Sequence, residues 1–496
     1  MNPAPDPSAN SLTAATAARS AASPSAPKDT AAGDAKTAAQ GSGVRGGGGV
    51  PGAEPTIAAK PGAALASPVA PATPAAPTPG GKANYASDVG VTADTIRIGT
   101  INMTSATRSL GPFIAGLQEQ NLDAAVKYIN RTGGVAGRKL QLVTCDDGGD
   151  IARGRACYEK LKDNVFAFMP SISWLTDVIH DRLAKDKVPW LTWGWFKSEY
   201  EDPWMFPCHA NGIREAAALA DWVAEVIKPK TVGIMYLNVS EDIAARDVAA
   251  KQLAKHNIKV VETVAQEWDS PDESQHVLAM RAANPDFILS FSWPAPVAKF
   301  FHDAHAQKWA PKLGYAANHL TGDPGAGTIF GDYIKDKVYT ITSWAVPTAP
   351  DPHNPEAENE EMKVFQAELL RTNGREYQGF RWRYAGMHHI TQSGWVCTRI
   401  LAKAAAQLGA DLTRQGLRDA LEQKKNGWDS GQGVTLFWPP GNHNANPYSF
   451  NREFIYKWVD APDGGWDLKR ILPDPVFDCA AGNIPERADT ICNRQL

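Results

Sequence analysis

The sequence predicts an α/β protein of two similar lobes, each with a mostly parallel sheet, joined by a three-strand hinge. Three observations carry this. Short apolar strands alternate with amphipathic helices, a pattern that builds parallel sheets with right-handed crossovers. The alternation begins at Thr95 and restarts near Asn211 with no linker between the blocks. Further helices, over 358–372, 384–408 and 413–423, follow the second block and need a sheet to cover, which requires three crossings between lobes.

At 496 residues the chain is long enough for two or three domains. A formal net charge of −4 gives no electrostatic reason to expect nucleic acid or an anionic membrane surface. No run of apolar residues is long enough to span a bilayer. Nor does any apolar stretch near Met1 read as an export signal.

Residues 1 to about 90 are dominated by Ala, Pro, Gly, Ser and Thr, and the first aromatic residue is Tyr85. Such a segment buries too little apolar surface to offset its chain entropy and is expected to be a disordered tether. It contains Gly41-Ser42-Gly43-Val44-Arg45-Gly46, a literal dinucleotide-type glycine pattern. With no strand before it and no amphipathic helix after it, the match is compositional.

The first block opens with the strand Thr95–Thr100 and a polar loop, Asn102 to Ser109. A helix follows, on which Leu110, Ile114, Leu117, Ala125, Val126 and Ile129 recur at helical spacing. Gly133-Gly134 ends it by supplying a left-handed residue. Next come the strand Leu140–Val143, the acidic turn Asp146-Asp147-Gly148-Gly149 and a helix over 151–162. The strand 165–169 ends in Ser171-Ile172-Ser173-Trp174; a helix over 175–185 leads to the strand 188–192, which ends in Trp193-Gly194-Trp195.

The second block reads helix 215–227, strand 231–236, helix 242–256, strand 259–264, helix 274–283 and strand 286–291. A loop with Trp293, a helix to about Gln307, and strands at 312–316 and 338–342 complete it. Strand character returns over 434–471.

In open α/β sheets ligands bind at the carboxyl ends of strands. The stretches there are 102–109, 171–174, 192–195, 238–241, 292–293 and 318–321, rich in hydroxyls, amides, Gly and Trp. They suit a neutral or weakly polar ligand held by hydrogen bonds and indole surfaces. Any one position alone is more often a helix cap or turn residue; the joint placement carries the functional reading. Catalytic motifs are lacking: there is no GxSxG, HExxH or P-loop. Asp146 and Asp147 could form a carboxylate pair for acid–base work, but capping and turning the chain into the next helix is the simpler role.

None of the six cysteines shows CxxC or zinc-finger spacing, so no metal site is expected. Cys145 ends a strand and Cys157 lies in the helix that packs back on it, close enough to bridge. Cys479 and Cys492 could close a C-terminal loop, leaving Cys208 and Cys397; the alternative is six free, mostly buried thiols. A low-complexity tether fits an extracytoplasmic protein and mildly favours oxidation.

Gly90-Val91-Thr92-Ala93-Asp94-Thr95-Ile96-Arg97-Ile98-Gly99, Tyr128-Ile129-Asn130 through Gly133-Gly134-Val135-Ala136-Gly137-Arg138-Lys139, Asp146 to Asp150, and Val188-Pro189 occur in that order. On these motifs the chain, from about Asp88 to Ile471, resembles the type 1 periplasmic-binding-protein fold. More narrowly, it resembles the branched-chain amino-acid (leucine/isoleucine/valine-binding) family of ABC-transporter substrate-binding proteins. The resemblance implies two Rossmann-like lobes that close on a small molecule and deliver it to an ABC-type permease. It implies no enzymatic chemistry, no cofactor and a monomer. The division expected is a tether at 1–90, lobe 1 at 91–208 and 343–430, lobe 2 at 209–342 and 431–472, and a tail at 473–496.

The resemblance also implies ligand contacts from Ser171, Ser173, Trp193 and Gly194 in lobe 1, and from near Ser240, Trp293 and Asn318 in lobe 2. An acidic group for an amino-acid ammonium is not evident between Gly314 and Gly322; Asp323 is the first candidate, and Glu241 could substitute. Trp174, Trp193, Trp195 and Trp293 would make the cleft larger and more aromatic than a leucine site requires, so an aromatic or other largely apolar solute is also expected. The location implied is extracytoplasmic, membrane-tethered at a cell surface or in a periplasm, with an export signal expected upstream of the first residue; a protein that is not exported is the alternative. A sensory or regulatory receptor on the same fold is the alternative, and an α/β enzyme using Asp146 or Asp147 a weaker one.

Overall fold

The structure is a computed structural model that describes residues 82–106, 111–268, 270–318, 330–377, 380–381, 384, 390–441, 443, 452–462 and 464–474. All of them belong to one compact unit, 70–496. The elements of the first lobe are β1 (Thr95–Asn102), α1 (Gly111–Arg131), β2 (Lys139–Asp146), α2 (Ile151–Leu161), β3 (Ala167–Phe168), α3 (His180–Asp186), β4 (Trp190–Thr192), α4 (Lys197–Glu201) and β5 (Met205–Pro207). They build a five-stranded parallel sheet of order β2-β1-β3-β4-β5.

The second lobe contributes α5 (Gly212–Trp222), β6 (Thr231–Leu237), α6 (Ser240–Lys255), β7 (Lys259–Gln266), α7 (Ser274–Ala283), β8 (Phe287–Phe291), α8 (Pro294–Ala306), β9 (Tyr315–Ala317) and β10 (Val338–Thr342). The chain then returns to the first lobe with α9 (Glu360–Asn373), the short ladder β11 (Glu376–Tyr377) and β12 (Phe380–Arg381), α10 (Gln392–Leu408), α11 (Arg414–Glu422) and the hairpin β13 (Trp428–Asp429) and β14 (Thr435–Leu436). It closes on β15 (Phe454–Asp460) and β16 (Trp466–Arg470). The second sheet has seven strands in the order β16-β15-β10-β9-β8-β6-β7, antiparallel only where β15 and β16 join.

Local chemistry explains these elements. Every residue of β8 is buried, as expected of a central strand covered on both faces. Asp150 caps α2 by accepting the Arg153 N–H at 2.8 Å, and Asn359 caps α9 through the Met362 N–H at 2.8 Å. Pro294 occupies the first turn of α8, where its missing N–H costs nothing. Gly134 adopts φ +77°, and a Cβ there would lie 2.2 Å from the Arg138 carbonyl, so the turn into β2 requires glycine. The helices that return to lobe 1 pack on α1: Tyr128 meets Trp395 with ring centroids 5.5 Å apart, and Gln118 donates to Ser393 Oγ at 3.3 Å.

Several expectations need correction. Residues 82–88 are fastened to lobe 1: Tyr85 donates to Asp411 at 2.7 Å, Ser87 to the Leu412 carbonyl at 2.6 Å, and Asp88 accepts the Arg414 N–H at 2.7 Å. Buried Arg138 adds bonds to the carbonyls of Tyr85, Thr92, Gly409 and Ala410. Residues 82–88 therefore belong with lobe 1, although the tether was expected to run to 90. Strand β5 was not anticipated, because three residues are too few to show a period. The return to lobe 2 comes later than residue 431: Trp438 donates to the Pro207 carbonyl of β5 at 3.0 Å and His443 bonds the Met205 carbonyl, and the second sheet resumes at Phe454. The helix expected from Tyr384 starts at Gln392.

Cys145 and Cys157 form one disulfide and Cys208 and Cys397 another. Cys479, Cys492, Asp323, the segment 41–46 and the tail after 474 lie outside the described residues.

Candidate functional site

The carboxyl ends of the strands in both lobes meet in one apolar cluster. Lobe 1 supplies Met103 after β1, Phe113, Ile114 and Leu117 from α1, Ile172 and Trp174 after β3, and Trp193, Trp195 and Phe196 after β4. Lobe 2 supplies Leu237 and Val239 at the end of β6, Trp268 after β7 and Trp293 after β8. Five indoles thus converge from opposite sides of the cleft.

Their geometry is specific. Trp193 and Trp195 stack with centroids 5.1 Å apart and planes 21° from parallel. Trp293 lies 6.2 Å from Trp193, 5.5 Å from Trp195 and 6.4 Å from Trp174. Trp268 packs on Trp293 at 4.7 Å and meets Trp174 nearly perpendicular at 5.5 Å. Offset and edge-on arrangements of this kind are the favourable ones for aromatic quadrupoles. Trp193, Trp195 and Trp293 are buried, whereas Trp174 and Trp268 are half-buried at the margin.

Beside the indoles stand buried hydroxyls. Thr192 ends β4, Ser290 lies in β8 and Ser292 follows it; their oxygens, and Nε1 of Trp293, have no hydrogen-bond partner among the described residues. Each such group is costly to leave unpaired, by about 1–3 kcal/mol, so these strand ends carry unspent donors.

The residues expected at the site divide into four groups. Trp174, Trp193 and Trp293 are in the cluster, and Gly194 lies between two of its indoles. Asn318 is buried one residue beyond β9, with its N–H on the Ser290 carbonyl at 3.1 Å. Ser240 is exposed and Glu241 half-buried on the first turn of α6, with the Ser240 hydroxyl donating to Glu241 at 2.5 Å. They stand beside the cluster, next to Val239, not within it.

The hydroxyls of Ser171 and Ser173 are engaged in the framework. The Ser171 hydroxyl donates to the Met169 carbonyl at 2.9 Å and accepts the Ile101 N–H at 3.2 Å, which locks β3 to β1. The Ser173 hydroxyl donates to buried Asp147 and accepts the Leu175 N–H at 3.1 Å as the cap of the turn carrying Trp174. Both hydroxyls serve the framework, because a strand-end hydroxyl has backbone groups within reach.

Asp146 and Asp147 likewise shape their turn. Asp146 accepts the N–H groups of Ser105 and Gly148 at 3.1 and 3.0 Å. Burial pushes its pKa up, but these bonds outweigh burial and hold it below the usual carboxylate value. Asp147 accepts the Gly149 N–H at 2.8 Å, and burial raises its pKa overall.

Trp268 was missed, although the strand-end rule that singled out Trp293 applies to it equally. Phe113 was missed because it opens a helix and lies beside no strand end. The one-turn helix α4, with buried Glu199 and Tyr200 behind the Trp193–Phe196 loop, was also missed.

No curated protein sequence matches the chain. Among solved structures it is similar to the fatty acid ABC transporter substrate-binding protein from Thermomonospora curvata, with TM-score 0.63 and 16% identity over 80% of this chain and 96% of that one. It is similar too to a solute-binding protein of an ABC transporter from Rhodopseudomonas palustris in complex with 3,4-dihydroxybenzoic acid, with TM-score 0.63 and 14% identity over 78% and 99% of the two chains. A third is the branched-chain amino acid transporter substrate-binding protein LivJ from Streptococcus pneumoniae in complex with isoleucine, with TM-score 0.60 and 12% identity over 76% and 100%. These likenesses establish the two-lobed type 1 fold. The periplasmic binding protein family model matches residues 95–452, most of the chain. The chain therefore belongs to the periplasmic binding protein family.

Proposed function

We propose that this binding protein works outside the cytoplasm, capturing a largely apolar small molecule between its lobes and delivering it to an ABC-type permease. An aromatic carboxylate or an aromatic or branched-chain amino acid fits the description. The observation that carries this reading is the meeting of Trp174, Trp193 and Trp195 from lobe 1 with Trp268 and Trp293 from lobe 2. Indole faces offer large apolar contact at low side-chain entropy cost. The hydroxyls of Ser290 and Ser292 and the Trp293 N–H supply donors for an acceptor group on the solute. Solved relatives on this fold are described with isoleucine and with 3,4-dihydroxybenzoic acid bound, the two kinds of solute proposed.

On this reading the low-complexity N-terminal stretch holds a monomeric binding protein near its membrane partner, and the chain performs no chemistry on what it carries. Titration with a panel of amino acids, aromatic acids and fatty acids tests it. A bound solute quenches or shifts tryptophan emission and raises the melting temperature, since binding to the folded state alone stabilises it. A panel that moves neither signal removes the proposal.

A further inference from the structure

One helical turn holds the indole loop from behind. In α4, Glu199 and Tyr200 are both buried. The Glu199 carboxylate accepts the Phe196 N–H at 3.3 Å, with the Gly194 N–H and the Thr176 hydroxyl close beside it; that hydroxyl donates to the Ser173 carbonyl at 3.3 Å. The Tyr200 hydroxyl lies within hydrogen-bond reach of the carbonyls of Gly194, at 3.0 Å, and of His209. Thr176 belongs to the turn that carries Trp174, while Gly194 and Phe196 flank Trp195. A single carboxyl thus ties together the two turns that present all three lobe 1 indoles.

We propose that Glu199 is the positioning residue of the solute site: ionised, it grips the Trp193–Phe196 loop in its stacked form, and protonated, it loosens that grip. This rests on the solute-binding reading and adds to it a titratable control. The chemistry follows from the partners. Two N–H groups face the carboxyl, and the Thr176 hydroxyl can turn to it from the Ser173 carbonyl, so the groups nearest an anion are donors. A protonated carboxyl turns its own O–H toward those donors, and only the Thr176 hydroxyl can accept it.

Burial pushes the Glu199 pKa up to about 7, against the opposing effect of Thr176, Phe196, His180 and Gly194. The balance between the two forms therefore falls near neutrality. The charged and titratable groups around it are His180 and Asp177 from the neighbouring turns, Asp202 at the end of α4 and bonded to His180 at 3.2 Å, and Tyr200 on α4 itself. Arg214, Glu215 and Glu453 lie behind Tyr200. A residue that merely capped a helical turn would leave the indoles indifferent to pH.

The test uses the full chain, first without solute. Circular dichroism reads the exciton coupling of the stacked Trp193–Trp195 pair, and emission reads the cluster, from about pH 5.5 to about pH 8.5 around the expected midpoint. The wild type should show one transition near neutral pH. Glu199→Gln, an uncharged isostere of the acid form, should show none and should resemble the wild type at low pH. Thr176→Val, which leaves the charge in place but removes a partner of the anion, should move the midpoint upward. His180→Gln should keep the transition, also displaced upward. A flat wild-type profile overturns the proposal, as does a transition that survives in Glu199→Gln or vanishes only in His180→Gln. If Glu199→Gln fails to fold, the Thr176→Val midpoint decides. Binding of 3,4-dihydroxybenzoate and isoleucine is then measured by calorimetry on either side of the midpoint. Wild-type affinity for the probe that binds should rise about tenfold toward alkaline pH, the size of one net hydrogen bond, with no change in Glu199→Gln. Failure of both probes to bind counts against the solute reading, while the spectral transition still decides the role of Glu199.

Discussion

Trp174 of the first lobe and Trp268 of the second meet edge to face, with ring centroids 5.5 Å apart and planes at 80°. Both are half-buried at the cleft margin, so the contact holds the lobes together at the surface while Trp293 fills the space beneath. In a double-mutant cycle of Trp174→Ala and Trp268→Ala, read by denaturant unfolding, the loss in the double variant should fall short of the sum of the two single losses by about 0.5–1.5 kcal/mol. Additive effects would mean the rings touch without cooperating.

Gly194 sits at φ +92° between the stacked indoles, and a Cβ there would stand 2.8 Å from the Tyr200 hydroxyl and 3.1 Å from the Pro207 side chain. Gly194→Ala therefore strains the backbone and collides with the group that braces the loop. It should destabilise the protein by roughly 1–3 kcal/mol and weaken the exciton signal of Trp193 and Trp195. Unchanged spectra and stability would show that the loop tolerates a different path.

The parts of this molecule that were legible in the sequence are those with a period. Helix α7 and strand β10 fall on the expected bounds, Ser274–Ala283 and Val338–Thr342, because ten residues of 3.6 spacing and five of apolar strand character leave little choice. Strand β5, with three residues, and α4, with five, are set by what they pack against, which local pattern does not encode. The same limit applies at the site. That Trp193 and Trp293 lie at strand ends is a topological inference available from the chain order. Which way the hydroxyls of Ser171 and Ser173 turn depends on Ile101, Met169 and Asp147, brought to them only by folding. Glu199 was invisible for the same reason: its partners Thr176 and Gly194 come from two other turns.

The disulfide between Cys145 at the end of β2 and Cys157 in α2 spans a sequence separation of 12. It pins the helix that follows the acidic turn to the edge strand of lobe 1, leaving the cleft residues untouched. The Cys145→Ser, Cys157→Ser double variant should lose about 3 kcal/mol of stability, with solute-induced quenching retained. Chemical denaturation with and without reductant measures the loss. An equal loss of quenching would mean that this bridge also positions the cleft.

Glu215 at the start of α5 and Glu453 just before β15 are fully buried together at the lobe junction. Ser343, between β10 and the returning helices, stands beside Glu453, and its hydroxyl lies 3.2 Å from Nδ1 of His209. Each of the three passages between lobes therefore contributes a group. Burial first, then the neighbouring Glu215 carboxyl, pushes the Glu453 pKa well above its usual value. The sign of the consequence follows from proton counting. In the unfolded chain Glu453 ionises near the ordinary glutamate value, whereas in the folded state it keeps its proton to much higher pH. Above the unfolded pKa the folded state binds more protons, so this residue's contribution to stability falls as pH rises from the ordinary glutamate range toward the folded value. Glu453→Gln keeps the hydrogen-bonding shape and removes the titration. Measured as the difference in melting temperature between variant and wild type, its benefit should grow steadily from about pH 5 to about pH 8. A difference that stays constant with pH would mean that the two carboxyls do not share a proton at the junction of the lobes.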